Sequence, residues 1–219
     1  MRILHGRRDK RDDRIGAVAD DDVEEELGAL LFAADFQAAA TRALEAYGPE
    51  LYGFLVNLMG TEGDASEVFS QTAEDFWRAL PKFERRCSVR TWLYLLARNA
   101  AARFWRSPWQ RAVGSASRLD GVVADARSRT QPWLRTDVKD KWRALRESLD
   151  PDDRALLVLR IDRDLDWNDV ARVMLSREAA AASELERESA RLRKRYHQLK
   201  DELRERAQAA GLLDGDDGP

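Results

Sequence analysis

Between Asp64 and Arg106 apolar residues recur at spacings of three and four through two successive stretches, the pattern of one buried stripe on each of two α-helices. In the first, Ala65, Val68, Phe69, Thr72, Phe76 and Leu80 make the stripe. A turn of about 100° per residue gathers Glu67, Ser70, Gln71, Glu74 and Arg78 on the opposite side. Asp64 followed three residues on by Glu67 is an acidic form of the capping box and predicts the helix start there. In the second stretch Val89, Trp92, Leu93, Leu96, Ala97, Ala100 and Phe104 form the stripe expected to be buried. Tyr94, Arg98 and Trp105 share its far side, with Asn99, Arg103 and Arg106 on the flank.

Similar patterns extend in both directions. Phe36, Ala40, Leu44 and Tyr47, continued past Pro49 by Leu51, Phe54, Leu55 and Leu58, predict a helical segment that packs against the 64–80 helix. Further on, Val138, Trp142, Leu145 and Leu149 are helically spaced, and Asp150-Pro151 supplies an N-cap and a first-turn proline for the next helix, with Asp152 and Asp153 at its positive end. A third helix is expected from Asp166, with Trp167, Val170, Ala171 and Met174 inward and Asp169 reinforcing its cap. Leu185, Leu192, Tyr196, Leu199 and Leu203 then make one apolar line. Arg187, Arg191, Lys194 and Gln198 share one outward face, and Arg193, His197 and Lys200 another. The intervening 107–136 segment holds Pro108, Pro132, two glycines and several serines and reads as a linker. The pattern therefore predicts an all-α chain of two small helical domains, 35–106 and 137–210, joined by a flexible linker. A charged, flexible extension is expected over 1–34 and a polar tail over 211–219.

Charge sharpens the contrast between the first two helices. Residues 44 to 77 hold seven acids and no Lys or Arg, whereas residues 78 to 111 hold nine bases and one acid, Glu84, so a stretch of −7 is followed by one of +8. The chain as a whole carries only −3, which hides this asymmetry. An acidic surface for one partner thus stands beside a basic, aromatic-laced one whose cations suit phosphates and whose rings suit unstacked bases. From Arg191 to Lys200 there are five bases (Arg191, Arg193, Lys194, Arg195 and Lys200) and no acid, the makings of a DNA-facing helix. Cys87 is the only cysteine, so the chain has no internal disulfide, which fits a reducing cytosol. Its arginine neighbours would tend to lower the thiol pKa, yet a lone thiol reads first as unremarkable. No apolar run approaches the ~18 residues of a membrane span, and the N-terminus lacks the apolar core of a signal peptide. The two histidines, His5 and His197, join no metal-ligand motif, and no phosphate-cradling glycine loop or nucleophile arrangement is present. The expectation is a non-enzyme without cofactor or metal.

The 64–106 stretch, DASEVFSQTAEDFWRAL, a short loop with Phe83, then RTWLYLLARNAAARFWR, resembles region 2 of bacterial sigma factors. It is most similar to the small extracytoplasmic-function (ECF) group, which typically reads Asp-Ala-Glu-Asp-Leu-Val-Gln-Glu-Thr-Phe, then Trp-Leu, a helical Asn and an Arg. Asp64, Ala65, Thr72, Trp77, Arg78, Trp92, Leu93, Asn99 and Arg106 match that pattern. Glu67 stands for the usual second Asp, Ser70 for a usual Gln, and Arg103 for a common acid. LDWNDVARVM resembles the first helix of the region 4 helix-turn-helix, although LSREAAAASELERES follows where a turn of a few residues is usual.

The resemblance implies a promoter-specificity subunit that binds the β′ clamp and β flap of core RNA polymerase, reads −10 and −35 promoter DNA and assists its opening in the bacterial cytoplasm. An anti-sigma factor is a further partner it allows. Glu67, Ser70, Gln71, Glu74 and Arg78 would contact the core enzyme. Phe83, Arg85, Arg86, Arg90, Tyr94, Arg98, Asn99, Arg103, Trp105 and Arg106 would hold the melted −10 element, with Trp92 assigned to the core by its place on the stripe. Arg187, Arg191, Arg193, Lys194, Arg195, His197 and Lys200 would face the −35 element. The competing reading is a helix-turn-helix regulator whose N-terminal region is a protein-interaction module.

Overall fold

The structure, a computed structural model, describes residues 10–106 (side chains from Asp20 onward), 145 and 148–211. The 107–136 linker, the pattern at Val138 and Trp142, and the tail from Asp214 lie outside the described residues. Among those described there are seven α-helices and no strand, so the chain is all-α. They are α1 (Lys10–Phe32), α2 (Phe36–Met59), α3 (Glu62–Ala79), α4 (Val89–Arg106), α5 (Pro151–Leu157), α6 (Trp167–Leu175) and α7 (Ala182–Ala209). A 3₁₀ turn at Leu80–Lys82 ends α3, and a π-turn at Val158–Asp162 ends α5.

The expectation of a flexible leader over 1–34 does not hold for residues 20–32. Leu27 and Leu31 are buried, and Val23 and Leu30 pack against the same core. These four sit at helical spacing inside an acidic run whose charge conceals them in a composition count. The acids themselves find partners: Glu26 pairs with Arg42 (2.6 Å), Asp20 with Arg90 (3.3 Å), and Glu24 accepts a hydrogen bond from the Tyr47 hydroxyl (3.0 Å).

Asp35 caps α2 by accepting from the Ala38 amide. Pro49 sits inside the helix without ending it, and Gly60, at φ +81°, closes it through a bond to the Val56 carbonyl. That left-handed turn is one only glycine takes without a steric cost. The cap of α3 lies three residues before the predicted one: Thr61 Oγ1 accepts from the Asp64 amide at 3.1 Å, which places Asp64 in the first turn. There its charge still favours the helix dipole. The predicted stripe of α3 is buried, and Ser70 is buried with it.

Helix α4 is enclosed on more than one side. Its expected stripe is buried or partly buried, but so are Thr91, Tyr94, Leu95 and Ala101. Helices α2 and α3 pack on one side, α6 lies along another, and α1 meets its first turn. Trp92 belongs to the core as expected, stacked on Phe83 (4.3 Å between centroids, 19° between planes) and edge-on to Phe76 (5.4 Å).

The C-terminal helices begin as the sequence predicts. The Asp150 carboxylate accepts from the Asp152 and Asp153 amides, both at 3.0 Å, and Asp166 caps α6 through Asn168 and Asp169. The presumed insert after α6 is a turn, Ser176–Ala181, beyond which α7 is already helical. Leu185, Leu192, Leu199 and Leu203 bury along α7, Trp167 meets Tyr196 edge-on (5.6 Å), and Ser189 Oγ donates to the Trp167 carbonyl. Arg154 ties this half to the first by donating to the Asn57 and Leu58 carbonyls at 3.2 and 3.3 Å, which satisfies the C-terminal end of α2. The buried side chains form one continuous cluster through both halves.

Two stability outcomes test this packing. Leu27→Ala should cost about 2–5 kcal/mol in denaturant unfolding, the range for truncating a fully buried leucine; an extension that merely frays in solvent would show no change. Hydrogen bonds from the Asp153 amide, foremost, and from the Asp152 amide hold the Asp150 carboxyl below its ordinary pKa. Its contribution is therefore present above the unfolded carboxylate pKa of about 3.9 and lost as pH falls through the lower folded value. Asp150→Ala should cost about 0.5–2 kcal/mol at neutral pH, and the gap between mutant and parent should close in acid.

Candidate polymerase and nucleic-acid interfaces

The outward side of α3 keeps its acidic character but loses one member. Glu67, Gln71 and Glu74 are half-buried and Arg78 is exposed, whereas Ser70 turns inward beside Phe69 and is 7% exposed. Glu74 and Arg78 pair at 3.3 Å one turn apart, and the Gln71 amide donates to Asp75 (3.0 Å). Trp77 stands on the same helix between Glu74 and Arg78, 49% exposed, and was not among the predicted site residues. Its signal was available: it falls off the buried stripe by one position.

The predicted −10 set separates into three environments. Phe83 has its ring stacked on Trp92, so one face is already occupied. Arg85, at φ +56°, and Arg86, paired with Glu84 at 2.7 Å, stand exposed in the loop. Near the end of α4, Arg103 forms an ion pair with Asp75, Arg106 is exposed with its Nε on the Ala102 carbonyl, and Trp105 packs half-buried against the core. Asn99 is half-buried.

Arg90, Tyr94 and Arg98 are placed differently, because the C-terminal helices lie across them. Arg90 makes a bidentate pair with Glu50 (2.7 and 2.9 Å) and donates to the Arg163 carbonyl (3.2 Å). Burial works against its charge, but Glu50's hydrogen bonds and charge outweigh that and hold its pKa above the ordinary value. Tyr94 is 1% exposed, its ring edge-on to Phe54 at 5.2 Å, and burial, aided by the Glu50 charge, raises its pKa well above the usual phenol value. The expectation that Tyr94 faces solvent is therefore overturned: Phe54 and Glu50 of α2 and Arg163 of the C-terminal half surround it, which a single helix's periodicity does not reveal. Arg98 donates to Ser176 Oγ (3.1 Å) and Asp152 (2.7 Å). Asp169 and Glu178, from the same C-terminal half, both have raised pKa values, chiefly through burial. Glu178 also accepts from the Glu84 amide at 2.8 Å.

Cys87 lies half-buried in this region. Burial pushes its thiol up to about 12 against the lowering influence of Arg172, so the pKa moves opposite to the direction its arginine neighbours suggest. The thiol is protonated at neutral pH and poorly nucleophilic.

On α7, Arg187, Arg191, Arg193, Lys194 and His197 are exposed along the outer side and Lys200 is partly so. Arg191 is held by Glu188, Arg193 lies 5.7 Å over the Trp167 ring, and Lys200 lies 4.9 Å over Tyr196. Arg195 is spent inside the fold, with its guanidinium on Asp153 at the start of α5 and on Glu202. It fastens α7 to α5, so the face that can meet DNA is formed by its neighbours. Among the described residues no cluster of His, Cys, Asp and Glu could hold a metal, and no helix is long and apolar enough to cross a membrane.

No curated protein matches the chain. Residues 43–112 match the family model of Sigma-70 region 2, a span that takes in most of α2 and all of α3 and α4 and leaves α1 and α5–α7 outside it. The bundle that carries both the acidic and the basic faces is thus similar to sigma-70 region 2.

Proposed function

We propose that the chain is an RNA polymerase sigma factor of the ECF type, a cytoplasmic subunit that directs the core enzyme to promoters by their −10 and −35 elements and helps open the DNA. The observation that carries the reading is the coincidence of the region 2 match with two oppositely charged helices in one bundle. Helix α3 offers Glu67, Glu74 and Arg78, with Trp77 beside them, to the β′ clamp. The loop between α3 and α4 offers Arg85 and Arg86, and the end of α4 offers Arg103 and Arg106, to the −10 strand. The phosphates position the strand and the loop shapes the base pocket. Helices α6 and α7 form the region 4-like unit, whose turn at Ser176–Ala181 restores the short connection that a helix-turn-helix needs. Arg187, Arg191, Arg193, Lys194 and His197 line the side offered to the −35 major groove, and an anti-sigma factor is a partner consistent with this plan.

In this arrangement α4 and the C-terminal helices hold one another. The reading has Arg98 leave Ser176 and Asp152 when the two DNA-facing units separate onto elements about 25 base pairs apart, since a duplex rises about 3.4 Å per base pair. The contacts that must break are the apolar packing shared by the two halves together with the polar ones of Arg98, Arg90 and Arg154, so binding to core enzyme and DNA has to offset their loss. The alternative, a helix-turn-helix regulator with an N-terminal interaction module, has no use for a core-binding α3.

Replacing both Glu67 and Glu74 with Lys should weaken binding to core polymerase by about tenfold or more, since each 1.4 kcal/mol of lost charge pairing is one factor of ten. Helicity by circular dichroism should be unchanged. Equal affinity for core enzyme in a titration of parent and double variant would remove the assignment and favour the regulator. Lys194→Ala should weaken binding of the polymerase–protein complex to all −35 sequences alike and reduce the slope of log affinity against log salt by about one. A change confined to one −35 base would instead make Lys194 a base reader.

A further inference from the structure

An α-helix leaves its first amides without intrahelical partners. In α4 the Thr91 amide donates to Ser88 Oγ and the Trp92 amide to the Ser88 carbonyl, both at 3.0 Å. The amides of Val89 and Arg90 donate instead to a single carboxylate from another helix, Glu24 of α1, at 2.8 and 2.9 Å. Tyr47 on α2 donates to the same group, so Glu24 joins three helices at the point where α4 begins. Capping groups usually come from the residue beside the helix; this one lies 65 positions before it in the chain. One turn earlier on α1, Asp20 reaches Arg90 at 3.3 Å. Helix α1 lies wholly outside the span that matches Sigma-70 region 2.

We infer that Glu24 is the positioning residue of the loop from Phe83 to Ser88, an inference that rests on the −10 role proposed for that loop. The loop is pinned at one end by the Phe83 ring on Trp92. At the other end the carboxylate of Glu24 fixes the first two amides of α4, and with them the direction in which the chain enters the helix. Arg85 and Arg86 stand between these two anchors, so the stem that presents them is as rigid as the anchors are. The carboxylate is also favoured by the positive end of the helix dipole, which makes the anchor sensitive to its charge as well as to its shape. Helix α1 thereby supplies to the −10 loop a constraint that the region 2 segment does not contain.

The experiment uses the full chain with core polymerase and a promoter selected by transcription in vitro from a randomised library. Glu24→Gln keeps the size of the side chain but removes its charge and one acceptor. Glu25→Gln, at an exposed position on the same helix, is the charge-matched control. Arg86→Ala tests the loop's role independently. Three quantities are read: amide exchange at Val89 and Arg90, affinity for core enzyme, and the ratio of open-complex formation on the selected promoter to that on one with a −10 base changed. The inference expects Glu24→Gln to speed exchange at those two amides by about tenfold, the scale of one charge-assisted hydrogen bond. Core affinity should stay within about twofold while the −10 discrimination ratio falls by about five- to tenfold, and Glu25→Gln should match the parent. Faster exchange at the two amides with an unchanged discrimination ratio would reduce Glu24 to a structural cap and overturn the inference while leaving the −10 reading intact. Faster exchange throughout α2–α4 would overturn it as well, since α1 would then be holding the bundle together rather than placing the loop. If Arg86→Ala opens promoters as the parent does, the −10 role of the loop falls and the inference falls with it.

Discussion

The Arg90 guanidinium is the point on which the arrangement of helices depends. It extends from α4, receives Glu50 from α2 through two parallel hydrogen bonds and Asp20 from α1, and donates to the Arg163 carbonyl beyond the π-turn. A planar group with five donors can serve three directions at once, where a lysine ammonium would serve them without the fixed fork. Its partners show what it restrains. Asp20 has a raised pKa, foremost from burial, with Glu50 and neighbouring acids raising it further and Arg90 pulling the other way. Without the cation, two carboxylates would face each other across a half-buried gap, the situation that makes removal of one ion-pair member costly.

The same economy of contacts explains how an acidic and a basic surface coexist on a small bundle. Acids of α3 that would repel one another along the helix are partly neutralised from within, by Arg78 for Glu74 and by Arg103 for Asp75. Bases of α4 that would repel are taken up by acids of other elements, Glu50, Asp20 and Asp152. What is left outward on each helix is the residual charge after these pairings. The C-terminal half contributes through Arg154 on the end of α2 and Arg195 on Asp153, so it is joined to the bundle by directional bonds as well as by the shared apolar core.

Local chemistry was legible in the sequence wherever one helix decides the outcome by itself. Asp150 and Asp166 cap the helices they precede, the α3 stripe is buried, and Trp92 is core despite being an aromatic in a DNA-binding pattern. What escaped depends on neighbours. Tyr94 lies on the polar side of its own helix and is buried against Phe54 of α2, with Arg163 of the C-terminal half near it. Four apolar residues in α1 were outweighed by the acids around them, although three of those acids, Asp20, Glu24 and Glu26, have partners on other helices. The alanines after Ser176 suggested an insertion, yet Ala180 is buried in a short turn, Ala181 is the N-cap of α7 and Ala182 is already its first residue. Of the candidate site, the acidic face of α3 and the exposed arginines were readable, while the commitments of Arg90, Arg98 and Arg195 to internal partners were not.

The long sequence separation between Glu24 and the helix start it closes has a consequence for how the chain is made. At a synthesis rate of about 5–20 residues per second, the 65 residues between cap and helix take roughly 3–13 s to appear. Helices α1 and α2 are adjacent in the chain and form well within that interval, with Tyr47 already in place to orient the carboxylate. The receptor for the first turn of α4 is therefore assembled before α4 leaves the ribosome. The loop-closure entropy of this distant contact then falls on an ordered acceptor rather than on two disordered ends.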